Sequence, residues 1–209
     1  MSKTIAFDRG EVLQKAMVVF WDSGFAATSM RDLLDATGLS ASSLYAEFGS
    51  KRALFDVALQ DYDEGLSAML DPLQRGEPGL EGILDFFDNW RERLAQGRMS
   101  FDAGCFMVNS TIELASHDDR VRALAQQYRE RLRSLLAAAI QRAADRGQLY
   151  PGNTDERATG LTAAVIGVFA ASRAFDNAPQ YEYWIAGARG LAASWALHPT
   201  DQADKGATG

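Results

Sequence analysis

Few side chains in this sequence are of a type that does covalent chemistry, and their spacing narrows the possibilities. Cys105 is the sole cysteine, and there are two histidines in 209 residues. One cysteine excludes an internal disulfide and any four-cysteine zinc site, and it suits a reducing cytosol. His117 follows Glu113 at i+4, which on a helix sets an imidazole beside a carboxylate. A metal there would need further carboxylates. The plainer reading, preferred on these grounds, makes His117-Asp118-Asp119 the cap of the following helix. There is no nucleophile–histidine–acid set, glycine-rich phosphate loop or HExxH pair. The expectation is a protein without catalytic residues, metal or cofactor. Cys105 itself has two readings. A thiol at a helix N-terminus ionises more readily and can act as a redox sensor. Alternatively, Cys105, Val108, Ile112 and Ala115 share one helical face, which would make the thiol ordinary core.

The elements that position these residues read as helices throughout. Hydrophobic residues make up 47% and charged residues 23%, enough for a sizeable core. No alternating run bounded by hairpin turns suggests a strand. Asp8 caps a first helix with Leu13, Ala16, Met17 and Phe20 inward, and Gly24 ends it. Thr28 or Ser29 opens a short second helix with Met30, Leu33 and Leu34 inward, stopped by Gly38. Ser40 opens a short third containing Leu44 and Tyr45. Ser50 caps a fourth, expected to end before Pro72. A fifth carries Ile83, Phe86, Phe87, Trp90 and Leu94, and a sixth runs from Gly104 to about Ser116. The seventh has the clearest stripe, from Val121 through Tyr128, Leu132 and Leu136 to Ala143. Two more, 155–175 and 179–197, are dense in Ala and Gly, and 198–209 reads as a tail. The expected fold is all-α, with about nine helices. The longest charge-free stretch, Ala158 to Ser172, is too short for a comfortable membrane span, and the acidic and basic residues near the start argue against a secretory signal. A soluble protein of the cytoplasm is expected.

The net charge of −7 argues against a surface coated with nucleic acid. It is unevenly spread: residues 1–56 hold six Lys/Arg against seven Asp/Glu, so most of the acidity lies beyond them. A small DNA-reading module on an acidic body remains open. The two short helices around Gly38-Leu39 have the layout of a helix-turn-helix, whose second helix can enter the major groove. Spacing alone leaves this equal to any tight two-helix corner.

Residues Phe7 to Phe55 go further. The FW-x-x-GF end of the first helix, TSMRDL, and GLS-x-x-SLY-x-x-FGSK-x-x-LF closely resemble the N-terminal domain of TetR/AcrR-family transcriptional regulators. The resemblance covers about a quarter of the chain. It implies a helix-turn-helix DNA-binding domain over 1–50 and a helical ligand-binding and dimerisation domain over 51–197. It places Thr28 and Tyr45 on phosphates, with Lys51 adding a charge there. Ser42, Ser43 and Ala46 would face the groove, with Arg31 reaching from the second helix as the strongest source of a guanine contact. Ser40 is more simply an N-cap, and Tyr45 is also partly core. Two departures weaken the electrostatics: a basic arm reduced to Lys3 and Arg9, and Glu47 beside the expected phosphate path. Salt-sensitive binding of modest strength outside the specific site follows.

The same resemblance implies a homodimer on a double-stranded DNA operator, with half-sites about 34–36 Å apart. Gly160, Ala163, Ala164, Gly167, Ala170 and Ala171, then Gly187, Gly190 and Ala193, permit close helix approach, within one subunit or, as the resemblance favours, across a dimer of the last two helices. A small-molecule inducer would bind among Phe86, Trp90, Phe101, Phe106, Tyr128 and Phe169, with Asn109, Glu113 and Arg173 as polar partners. Each aromatic taken singly fits plain core packing as well. The stretch Gly104 to Ala115 also resembles a GC-x-x-x-N-x-x-x-E-x-A pattern in one subgroup, some of whose members respond to electrophiles or oxidants. Oxidation or alkylation of Cys105 is therefore an alternative switch on the same module.

Overall fold

The computed structural model describes residues 7–74, 79–96 and 103–197. The Lys3 arm, Phe101 and the expected tail from His198 lie outside the described residues. Ten α-helices occur among the described residues: α1 (Arg9–Ser23), α2 (Met30–Thr37), α3 (Ala41–Phe48), α4 (Lys51–Gly65), α5 (Ser67–Gln74), α6 (Leu80–Ala95), α7 (Phe106–Leu114), α8 (Asp119–Asp145), α9 (Thr154–Ala171) and α10 (Ala178–Ala193). A short 3-10 turn, Ser172–Ala174, follows α9. No helix among the described residues is long and apolar enough to cross a membrane.

The caps follow the sequence reading closely, because a cap is a local choice. Asp8 accepts from the amides of Gly10 and Glu11, Ser40 from Ser43 and Ser50 from Ala53. Each satisfies an amide that the helix leaves without a partner. Ser29, rather than Thr28, caps α2, in a reciprocal box with Asp32. The extra helix comes from the expected fourth, which breaks at Leu66 into α4 and α5. Pro72 does not stop the chain as anticipated, since α5 runs through it to Gln74. Pro72 is the sixth of the eight residues of α5, so the helix forgoes the bond its missing amide would have made to the carbonyl four residues back. The expected last helix stops early, at Ala193. Residues 195–197 instead pair with 148–150, through Tyr150 N–H to the Trp195 carbonyl (2.9 Å) and Leu197 N–H to the Gln148 carbonyl (2.8 Å). Leu149 and Ala196 form an antiparallel bridge that sequence periodicity could not show.

By packing, the chain divides into two compact units. The first comprises, among the described residues, 7–66 and 105–125. Its core joins α1, α2, α4 and α7 around Phe20, Phe25, Phe55 and Phe106, with Phe25–Phe55 centroids 4.9 Å apart and Phe55–Phe106 5.7 Å. The second comprises, among the described residues, 67–74, 79–96, 103–104 and 126–197. There α6 packs on α5 and α10, and α10 on α9. Trp90 is fully buried, stacks on Phe169 at 4.4 Å and donates to the Tyr181 hydroxyl at 3.2 Å. A buried indole N–H would otherwise forgo a hydrogen bond in an apolar core.

Candidate nucleic-acid interface

The corner between α2 and α3 turns on Gly38, whose φ of 73° and ψ of 10° lie in the left-handed region. Its amide bonds back to the Leu34 carbonyl at 2.9 Å, closing α2, and Ser40 opens α3 two residues later. Leu33, Leu44 and Phe48 are buried and tie the pair to the core. With 3.6 residues per turn, or about 100° per residue, the face of α3 opposite Leu44 and Phe48 is centred on Ser42 and Ala46. Ser43 and Tyr45 flank it. Ser42, Tyr45 and Ala46 are exposed, and Ser43 is partly so. The Ser40 hydroxyl lies 3.0 Å from that of Ser42 and 2.9 Å from that of Ser43, so one cap organises all three. Arg31 extends from α2 with its side chain 89% exposed and Asp35 at 3.7 Å. An ion pair so long and so solvated holds the guanidinium weakly. At the entry to α2, the Ser29 hydroxyl and amide bond the Asp32 carboxylate and hold it below its ordinary value.

Two expected phosphate contacts have other work. Thr28 is buried, and its hydroxyl donates to the Gly24 carbonyl at 2.6 Å. It shapes the α1–α2 turn and does not present a hydroxyl to solvent. Lys51 donates its ammonium to the Thr28 carbonyl and sits 4.5 Å above the Phe25 ring. Its charge therefore braces the same turn. Glu47 is paired: Arg9 Nε reaches its carboxylate at 2.7 Å, and the Arg9 guanidinium also covers Phe48 at 5.3 Å. The acidic group that looked adverse to DNA is neutralised from the start of α1, a pairing across 38 residues that spacing could not reveal.

The expected inducer residues are not gathered into one unit. Phe106, Asn109 and Glu113 fall in the first; Phe86, Trp90, Tyr128, Phe169 and Arg173 fall in the second. Phe106 is an aromatic core residue touching Trp21, Phe55 and Tyr62. Both Glu113 carboxylate oxygens accept backbone amides, from Phe25 at 3.0 Å and Ala26 at 2.7 Å. Arg173 is exposed, on the 3-10 turn after α9. Phe86, Trp90, Tyr128 and Phe169 are buried. The Cys105 side chain is fully buried and makes no capping bond to α7. His117 is exposed, and its ring nitrogen meets the Ser116 hydroxyl at 3.0 Å. Asp118 caps α8 by accepting from the amides of Arg120 and Val121, both at 3.1 Å.

Sequence reasoning passed over Arg52. Its guanidinium bonds Asp118 and Asp56, and Arg120 reaches Asp56 at 2.8 Å. The Arg52 bond, chiefly, depresses the Asp118 carboxyl far below the usual range, and Asp118 in turn raises Arg52. Among the described residues, no group of three or more His, Cys, Asp or Glu could hold a metal ion.

A family model described as bacterial regulatory proteins, tetR family, matches residues 12–58, and one described as tetracyclin repressor-like, C-terminal domain, matches residues 79–187. The chain belongs to the TetR family of transcriptional regulators. Similar relatives include the HTH-type transcriptional repressor ComR of Escherichia coli (strain K12), 37% identical over 150 residues that span 69% of each chain. The HTH-type transcriptional regulator YezE of Bacillus subtilis (strain 168) is 31% identical over 156 residues, covering 74% of this chain and 79% of that one. Among solved structures, a cysteine-substituted form of the TetR family transcriptional regulator CifR, complexed with 26-bp double-strand operator DNA, superposes with a TM-score of 0.75. It is 28% identical and covers 93% of this chain and 100% of its own. This TetR-family member is thus a helix-turn-helix transcriptional regulator rather than an enzyme, with the first family model spanning the whole α2–α3 corner.

Proposed function

We propose that this TetR-family regulator is a homodimeric repressor that holds a palindromic operator through two copies of α3 and lets go when a small molecule binds its body. The observation that carries the reading is the α3 face centred on Ser42 and Ala46, which faces away from the core and is flanked by Tyr45 and by Arg31 from α2. Small side chains there let the helix lie deep in a major groove, and Arg31 supplies a bidentate donor for guanine. We assign DNA contact to residues 1–50, whose described part packs in one unit with 51–66 and 105–125, and ligand binding and dimerisation to 51–197.

Dimerisation through α9 and α10 is supported by what the small residues do not do. Added Cβ atoms at Gly160, Gly167, Gly187 and Gly190 meet nothing within 4 Å, so close packing inside the subunit does not account for these glycines. Tyr183, Trp184 and Leu191 are 80%, 47% and 41% exposed. With Gly167 and Ala164 they border a shallow apolar trough of about 360 Å³. Such a face is costly to leave in water, and a second copy covers it by symmetry. For the inducer, the buried aromatic group of Phe86, Trp90, Tyr128 and Phe169 in the second unit is the favoured lining. Its effect requires only that it bind more tightly to a conformation with the two α3 helices out of register with successive grooves. Burial of the Cys105 sulfur favours this non-covalent switch over thiol chemistry.

The test is to titrate the purified protein into fragmented DNA from its source genome at moderate salt and sequence what is retained. A few fragments sharing a palindrome are expected. Retention without any shared sequence would overturn the reading.

A further inference from the structure

We propose that Glu113, at the end of α7, is a positioning residue for DNA recognition: its carboxylate clamps the α1–α2 turn and so sets where α2 and α3 stand. The proposal rests on the DNA-binding function above and adds a residue that touches neither base nor phosphate.

The geometry is that of a built seat. The Glu113 oxygens take the amides of Phe25 and Ala26, at 3.0 and 2.7 Å, from residues 88 and 87 positions away. Gly24, with φ of 82°, lets the carboxylate approach until it occupies the space of a side chain, since a Cβ on Gly24 would stand 2.8 Å from Oε2. From this seat a short relay leads to α2. The Gly24 carbonyl takes both the amide and the hydroxyl of Thr28. The Thr28 carbonyl takes the Lys51 ammonium, which also lies over Phe25. Ser29, next in sequence, is the cap on which α2 begins. The far end of α7 is fixed by Phe106, 5.7 Å from both Phe55 and Tyr62. A carboxylate with both oxygens on amides makes charge-assisted bonds of roughly twice ordinary strength. Two such bonds define the turn's orientation as one bond does not.

The sign of the expected effect separates positioning from simple charge. Glu113→Gln removes a negative charge, which by electrostatics alone favours a polyanion. Positioning demands the opposite. Gln keeps one acceptor but turns an NH2 toward the second amide, a donor facing a donor. Glu113→Asp keeps the charge and is one methylene too short to reach both amides.

The experiment uses the full chain, as wild type and both variants, on a labelled fragment retained in the genomic selection. Three quantities are read: the active fraction by stoichiometric titration, the Kd with its salt slope, and amide exchange at Phe25 and Ala26. For both variants we expect roughly tenfold weaker binding, the loss of about one charged hydrogen bond's worth of order. The active fraction and salt slope should stay unchanged, because no phosphate contact is lost, and both amides should exchange faster. Tighter binding by Glu113→Gln, or an unchanged Kd with faster exchange, overturns the proposal. A reduced active fraction at unchanged Kd does so too, by making Glu113 a folding residue only. Wild type that retains no fragment overturns the DNA-binding reading and this proposal together, whereas wild-type binding with unaffected variants overturns the proposal alone.

Discussion

Replacing Gly38 isolates the cost of one backbone conformation in the helix-turn-helix. The residue sits at φ 73° and ψ 10°, and an added Cβ meets nothing within 4 Å. Gly38→Ala therefore carries no packing penalty, only the left-handed strain of an L-residue, about 1–2 kcal/mol. Part of this is offset by the stiffer unfolded chain, an effect of about 0.4–1 kcal/mol. The net loss should be near 1 kcal/mol, or about 2–4 °C in Tm for a chain of this size. Gly38→Asn should lose roughly half as much, since Asn visits this region more readily. Thermal and urea melts by far-ultraviolet circular dichroism measure the effect, and titration of a retained DNA fragment on the same samples shows whether α3 has shifted. A loss above about 3 kcal/mol would refute the reasoning, because backbone strain at one exposed cap does not reach it. So would no loss at all. Gly24→Ala provides the ordering check: its Cβ would stand 2.8 Å from the Glu113 carboxylate, so it should be the more damaging of the two.

Other outcomes follow from single contacts. Arg9→Ala should weaken DNA binding by leaving the Glu47 carboxylate uncompensated, and Arg9→Ala with Glu47→Gln should recover most of the loss, read as a double-mutant cycle in Kd. Tyr45→Phe should leave Tm unchanged, the ring being 48% exposed, and cost about 0.5–1.5 kcal/mol of DNA affinity for one neutral hydrogen bond. Asp118→Asn keeps an oxygen for the α8 cap but loses the charge on Arg52, and should cost about 1–2 kcal/mol at neutral pH. Because the folded Asp118 carboxyl is depressed, its stabilisation is complete above the unfolded value of about 3.9 and fades as pH falls below it. Melts of wild type and variant should therefore converge in strong acid. The buried Cys105 thiol should react with a bulky disulfide reagent only on unfolding, and fast reaction of the native protein would revive the thiol switch.

What the sequence made legible was local, or repeated along one helix. Asp8, Ser40 and Ser50 are caps because their side chains reach amides two or three residues on, and Gly38 is a stop because few other residues enter its conformation. The stripes of α6 and α8 were readable from their period, and Ile83, Phe86, Phe87, Trp90 and Leu94 are all buried as expected. Hidden were the choices made by distant partners. Lys51 carries the right functional group for phosphate, and the structure gives its ammonium the Thr28 carbonyl, 23 residues away, as an acceptor. Glu47 is paired with a residue of another helix, and the Glu113 oxygens accept amides from residues 88 and 87 positions away. The ends of α5 and α10 were likewise hidden, because α5 continues through Pro72, its sixth residue of eight, and residues 195–197 find a partner segment.

The first packing unit is assembled from two stretches of chain, 7–66 and 105–125, and this bears on how it is made. A ribosome that has released only the first stretch has delivered every side chain of the α3 reading face but neither Phe106, Glu113 nor Asp118. The aromatic core is then one ring short, and the amides of Phe25 and Ala26 await their carboxylate. Completion of the reading head is thus deferred until residues 67–104 and α7 have emerged, a delay set by the rate of synthesis rather than by loop closure or helix formation. For anyone grafting this head onto another body, the transferable piece is the pair of segments together.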